Sequence, residues 1–145
     1  MKYTAEFEFL DAVESHEDET NKRDILSNSE IENLRSEFEG ISDELIDYLM
    51  EIGSGSFREC QFNIHNRLFT LEDLGLEDVY QIKDEIKFFG DNFAGDFAGF
   101  DFSGDPNLVV EFWHEDGTIF DTKKTFKVYI REQMLLGANG EDLRQ

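Results

Sequence analysis

Hydrophobic and polar residues alternate along the middle of the chain in a pattern typical of β-strands. Ile86 and Phe88 alternate with charged residues, and residues 98–102 repeat the alternation. A period of two places every second side chain on one face, so each segment is predicted to be a half-buried strand. Residues 108–113 are instead almost continuously apolar, which predicts an interior strand covered on both faces.

Turn-forming residues separate these segments. Pro106 lacks the N–H that a strand ladder needs, so residues 103–107 are predicted to form the turn before the interior strand. Residues 115–118, Glu-Asp-Gly-Thr, predict a hairpin turn leading into a further strand at Ile119 and Phe120.

Aspartates follow the glycines of this region, as in Gly90-Asp91, Gly95-Asp96 and Gly104-Asp105. A phosphate-binding loop opens a helix and usually has a Lys or Arg nearby, so the pattern argues against one. The carboxylates also lack the spacing of an EF-hand calcium loop. These glycines are predicted to serve turns and bulges, and we predict no metal site and no cofactor.

The N-terminal third combines an ambiguous segment, a polar connection and two helices. Residues 3–9 alternate and predict a strand, although Phe7 and Leu10 also have helical spacing. Residues 14–24 contain no apolar residue and are predicted to form an exposed, mobile acidic connection. Ser27 and Glu30 have the spacing of a capping box, which predicts a helix ending near Gly40.

A second helix is predicted from a cap at Ser42 to Gly53. Residues 57–65 alternate and predict a strand in which Cys60 is a buried thiol, followed by a turn at residues 65–67. Residues 68–82 predict a short helix and an irregular crossing.

The C-terminal region carries a helical pattern. Phe126, Ile130 and Met134 recur every four residues, which predicts a helix over residues 122–136 that packs on the sheet. A polar tail, residues 137–145, is predicted to follow.

Composition favours one domain in a reducing compartment. A domain near 145 residues buries roughly 70% of its unfolded surface, which is enough for a core. The lone cysteine excludes an intramolecular disulfide. The N-terminus lacks the pattern of a signal peptide, and no apolar run approaches membrane-spanning length, so we expect a cytoplasmic protein that makes no membrane contact.

Acidic residues outnumber basic ones by 34 to 13, giving a formal net charge of −21 at pH 7. This charge argues against direct nucleic-acid binding, because a polyanion would be repelled. An acidic surface also keeps proteins soluble, which is the simpler explanation for most acidic chains. The size of the imbalance in so short a chain favours a basic protein partner.

The order of motifs resembles that of the SUKH superfamily, which includes fungal cell-wall regulators and bacterial immunity proteins. The resemblance rests on four segments: ISDELIDYLMEIGSGSF, IKFFGDNFAGDFAGFDF, LVVEFWHEDGTIF and FKVYIREQML. It covers roughly residues 30–136. The strand predicted at residues 3–9 departs from the helix with which such proteins usually begin.

The resemblance implies a single α+β domain, an antiparallel β-sheet flanked by helices, that binds a protein without catalysing a reaction. Bacterial members of similar size are thought to neutralise toxins, often nucleases. A nuclease needs a basic surface to hold phosphates, and an acidic protein could occupy that surface. We predict a partner-binding site at the turns of the sheet formed by Asp91, Phe93, Asp96, Asp105, Trp113, Glu115 and Asp116. For Trp113, a place in the core is the stronger expectation.

Two other classes of function stay open. A regulatory scaffold that binds an endogenous protein has the same sequence features as a toxin-neutralising protein. An enzyme could use paired carboxylates with His65 or His114 as a base. Neither histidine has a nucleophile or metal ligand at a telling spacing, so both are predicted to be exposed strand-end residues and no catalytic residue is assigned. The oligomeric state is not predicted.

Overall fold

The computed structural model describes residues 1–144, which form a β-sheet with helices packed against it. The helices are α1 (Thr4–Val13), α2 (Asn28–Glu37), α3 (Asp43–Glu51) and α4 (Phe126–Met134), with a 3₁₀ turn at Glu19–Asn21. The strands are β1 (Gly55–Phe57), β2 (Phe62–Phe69), β3 (Ile86–Asp91), β4 (Phe97–Asp101), β5 (Leu108–Trp113) and β6 (Thr118–Thr125). The α+β class predicted from the sequence is confirmed.

The strands follow one another across the sheet in chain order, and each neighbouring pair is antiparallel. β5 pairs with β4 on one side and β6 on the other, which confirms the interior strand predicted at residues 108–113. Because the chain reverses at each connection, the turns at 58–61, 92–96 and 114–117 lie at one end, called the turn end below. The connections 70–85 and 102–107 join strands at the opposite end.

Helices cover one face of the sheet. Phe89 and Phe100 project from this face into the main core, where the Phe126 ring lies edge-on to Phe89 with centroids 5.0 Å apart. Phe126, Ile130 and Met134 are fully buried, which confirms the apolar stripe predicted for the last helix. This face is called the helix face below.

The 70–85 connection covers the other face. It packs Leu76, Tyr80 and Ile82 over a second cluster that contains Phe88 and Phe112. The predicted helix in residues 68–82 is wrong, because residues 68 and 69 finish β2 and the rest forms turns. Gly75 has φ +71°, a left-handed conformation that interrupts a right-handed helix. The irregular crossing predicted for this segment is present.

The predicted strand at residues 3–9 is wrong, and the helical alternative is correct. Tyr3, Glu6 and Leu10 are buried while Phe7 is exposed. Strand alternation would bury Tyr3 with Phe7, whereas spacings of three and four residues place the buried set on one side of a helix. The buried Glu6 carboxylate lies 3.3 Å from Arg131 of α4.

Residues 57–67 also differ from the prediction of one strand followed by a turn. The chain turns at residues 58–61 instead, so Phe57 ends β1 and pairs with Phe62 of β2. Cys60 lies half-buried in this turn with φ +70°, which corrects its placement as a buried strand residue. Residues 65–67 stay in β2, where an irregularity between Ile64 and Phe69 disturbs the pairing without reversing the chain.

Both predicted helix caps are present. Ser27 and Glu30 form a reciprocal capping box, and the Ser42 hydroxyl accepts a hydrogen bond from the Leu45 amide. Between α1 and α2, residues 14–24 are exposed or half-buried, and Arg23 forms an ion pair with Glu14.

The last helix begins four residues later than predicted. Residues 122–125 belong to β6, whose Thr125 pairs with Leu108. After α4 the chain folds back, and the Leu143 amide donates to the Leu135 carbonyl. The predicted polar tail includes Gln145, which lies outside the described residues.

Candidate protein-binding surface

The turn end brings together six of the seven predicted site residues. Asp91 ends β3, and Phe93 and Asp96 follow in the connection to β4. Trp113 ends β5, and Glu115 and Asp116 follow in the connection to β6. Asp105 lies in the connection between β4 and β5, at the opposite end of the sheet. The structure therefore does not group Asp105 with the others, because successive antiparallel connections alternate between the two ends.

Asp91 joins two strands and closes a turn. Its Oδ1 lies 2.9 Å from Nε2 of His65 on β2, and its Oδ2 accepts a hydrogen bond from the Phe93 amide. Burial raises the pKa of Asp91, but the hydrogen bonds from His65 and Phe93 outweigh it and the net pKa is lowered. The carboxylate is therefore held ionised by the turn that it supports.

Asp96 joins the 92–96 turn to the 114–117 turn in a similar way. Its Oδ1 accepts a hydrogen bond from the His114 amide and lies 2.7 Å from His114 Nδ1. Burial raises the pKa of Asp96, and the bonds from the His114 amide and ring reverse the effect, so that the net pKa is lowered. Both histidines were predicted to be exposed strand-end residues. His114 is exposed just after β5, but His65 lies half-buried within β2, and each is the partner of a site carboxylate.

Glu115 and Asp116 present their charge more freely. Both side chains are exposed in the 114–117 turn. Asp116 Oδ1 accepts a hydrogen bond from the Thr118 amide, and Thr118 lowers the pKa of Asp116. Tyr80 lies beside this turn and donates its hydroxyl to the His114 carbonyl. Because both side chains are exposed, the two carboxylates are accessible to a partner.

Exposed aromatic rings accompany these carboxylates. Phe93 is 57% exposed at the tip of its turn, with φ +63°. Trp113 is 39% exposed, so its predicted core position is wrong. The alternation of β5 turns Trp113 away from the second core cluster, and its indole stacks on Phe120, which is itself 45% exposed.

A recess that the sequence did not predict lies beside Trp113, between the sheet and α4. The acidic recess, as it is called below, has a volume of about 100 Å³. Six of its lining residues bear on its chemistry: Asn92, Asp96, Glu111, Trp113, Tyr129 and Gln133. Glu111 was the one signal in the sequence, as the single charged residue in the apolar strand 108–113.

Neither a known protein family nor a curated protein or solved structure matches the chain. Within residues 1–144, no group of three or more His, Cys, Asp or Glu side chains converges as a metal site would require. No helix in the same range has both the length and the apolar character needed to cross a membrane.

Proposed function

We propose that this protein is a non-enzymatic binding domain that neutralises a basic, nuclease-type toxin by covering its substrate-binding surface. The resemblance of its motifs to the SUKH superfamily and the net charge of −21 support this proposal. The protein would then act in the cytoplasm of a bacterium, where such a toxin reaches nucleic acid.

One observation carries the proposal: exposed carboxylates and exposed aromatic rings share the turn end. Glu115 and Asp116 lie in one turn, Phe93 lies at the tip of another, and Trp113 ends β5 just before the first of these turns. Interfaces combine aromatic anchors with polar rims, and surface charge accelerates the encounter of opposite partners. Phe93 and Trp113 would supply apolar contact, and the acids would steer a basic surface towards it.

Asp91 and Asp96 have a supporting role in this proposal. Each holds a histidine and a turn amide, so each fixes the conformation that presents Phe93 and Glu115. A surface held in its binding conformation loses less conformational entropy on association.

The test uses the product of the adjacent reading frame, expressed with and without this protein. We expect that product to be toxic alone, to be tolerated in the presence of this protein, and to co-purify with it. The change Glu115→Gln with Asp116→Asn should slow association at low salt and reduce protection, since two steering charges are lost without a change of shape.

The matched control removes two charges from the opposite end, by Glu85→Gln with Asp105→Asn. Both residues are exposed there, so the net charge changes equally in the two variants. The control should associate nearly as fast as the parent. An adjacent product that is neither toxic nor bound would overturn the proposal, and equal slowing by both variants would overturn the assignment to the turn end.

A catalytic role is the second candidate, because His114 has the geometry of an oriented base. Its Nδ1 faces Asp96, as in sites where a carboxylate orients an imidazole. We expect His114→Ala to leave a folded protein that still protects, although less well, because Asp96 loses its contact with the ring and keeps the bond from the residue-114 amide. Loss of a measurable turnover in that variant would favour an enzyme.

A further inference from the structure

The acidic recess contains a half-buried carboxylate without a cationic partner. Glu111 lies on β5 facing the helices, where Oε2 accepts a hydrogen bond from the Tyr129 hydroxyl at 2.7 Å. Its Oε1 accepts a weaker bond from the Trp113 indole at 3.3 Å. Among residues 1–144, no Lys, Arg or His forms an ion pair with Glu111.

Asp96 supplies a second carboxylate to the same recess. Ala98 pairs with Glu111 in the sheet, so Asp96, two residues before Ala98, is a diagonal neighbour of Glu111 across the strands. Such neighbours lie roughly 7–8 Å apart with their Cβ atoms somewhat closer, and one guanidinium can bridge their carboxylates. Each carboxylate keeps accepting capacity beyond the hydrogen bonds already made, since two oxygens offer about four acceptor positions.

The remaining walls suit a flat cation. Trp113 and Tyr129 line the recess, and Phe120, which is not among its lining residues, stacks on the indole with ring centroids 5.2 Å apart. No Lys or Arg is among the described residues that line it. Arg58 donates to the Gln133 carbonyl nearby and forms no ion pair with either carboxylate.

We propose that the acidic recess receives an arginine side chain of the basic protein partner. The guanidinium would donate to Glu111 and Asp96 and stack on the indole of Trp113. Arginine suits this site better than lysine, because its planar group offers several donors in a fixed geometry and stacks on aromatic faces. The recess adjoins the turn end, so one partner could fill the recess and contact Phe93 and Glu115 together. This inference rests on the proposed function.

The first test needs no toxin. Trp113 is the chain's one tryptophan, so its indole N–H gives a single tryptophan signal in a ¹H–¹⁵N NMR spectrum. We expect Nα-acetylarginine amide at millimolar concentrations to shift this signal in a saturable way. Nα-acetylcitrulline amide, which has the same shape without the charge, should leave it in place at equal ionic strength.

Variants define the contacts. Glu111→Gln should reduce the arginine-dependent shift several-fold, and Asp105→Asn, at the opposite end of the sheet, should preserve it. Equal shifts with the arginine and citrulline probes, or no shift with either, would overturn the proposal in the parent protein, whatever the stability of the variants.

A second test separates this inference from the proposed function. In complex with the adjacent-frame toxin, Glu111→Gln should raise the Kd by at least about tenfold, as expected when one member of a desolvated charge pair is removed. An unchanged Kd would overturn the inference while the proposed function stands. A saturable arginine shift without any toxin binding would support the recess and overturn the proposed function.

Discussion

At the scale of single residues, the paired carboxylates of the turn end are part of the folded structure as well as of its surface. Asp91 connects β2 to β3 through His65, and Asp96 connects two turns through His114. Local hydrogen bonds that favour the ionised form make such groups sources of pH-dependent stability.

Acid should weaken the fold partly through Asp91. Its pKa is lowered on folding from an ordinary value of about 3.9. A lowered folded-state pKa stabilises the protein above the unfolded-state value, and this contribution is lost as the pH falls through the folded-state pKa. We expect the free energy of unfolding, measured by urea titration between pH 6 and 2.5, to fall less steeply in Asp91→Asn than in the parent.

High salt provides the control for this experiment. Protonation also relieves repulsion across the whole acidic surface. In 1 M NaCl the Debye length is about 3 Å, so this long-range repulsion is largely screened. The difference between parent and variant should survive at 1 M NaCl, because it arises from local hydrogen bonds. Parallel pH profiles at high salt would contradict this assignment.

Sequence predicted residue roles well only where the partner is near in the chain. Ser27 and Glu30 are three residues apart, and their capping box was predicted correctly. His65 and Asp91 are 26 residues apart, and their contact depends on the register of β2 against β3, which pairs Asp91 with Asn63. That register is not encoded in any local pattern, so the histidine pairs and the acidic recess could not be predicted.

At the scale of elements, the β1–β2 turn is the most unusual connection. Arg58, Glu59 and Cys60 have φ values of 53°, 54° and 70°, so three successive non-glycine residues are left-handed. That conformation costs roughly 1–2 kcal/mol per residue for side chains with a Cβ. The turn lies at the turn end, next to the connection that carries Phe93.

Glycine should relieve this turn at its most exposed position. We expect Glu59→Gly to raise the free energy of unfolding by up to about 1 kcal/mol, because the relief of strain exceeds the entropic cost of glycine. The matched control is Glu32→Gly on the exposed side of α2, which should lower it by about 1 kcal/mol. Urea unfolding measures both, and destabilisation by both changes would contradict the expected strain.

Helices and strands were predicted correctly where the sequence pattern fits one type of element. They were predicted wrongly where a short segment fits both a strand and a helix. Residues 108–113 are apolar because β5 is covered on both faces, and that signal is unambiguous. Residues 3–9 fit both a period of two and a helical period, and the core favours the helix because it buries Tyr3, Phe9 and Leu10 together. The apolar–polar alternation of residues 57–65 continues through the turn at residues 58–61. The hairpin could therefore not be distinguished from a single strand.

At the scale of the whole molecule, the net charge of −21 acts on folding and on association with opposite signs. Like charges repel in the compact state, and a basic partner is attracted by the same field. The Debye length falls from about 30 Å at 0.01 M salt to about 8 Å at 0.15 M, so both effects weaken over this range.

Salt should therefore stabilise the free protein and slow its association with a basic partner. We expect the melting temperature to rise between 0.01 and 0.5 M NaCl, and the association rate with the adjacent-frame toxin to fall over the same range.

A variant with Glu32, Glu77 and Glu85 changed to Gln and Asp105 to Asn should have a higher melting temperature at low salt, and added salt should raise it less than in the parent. These four side chains are exposed, so their loss removes repulsion with little loss of packing. A melting temperature that is independent of salt concentration in both proteins would contradict self-repulsion. An association rate that is independent of salt concentration would contradict steering by the acidic surface.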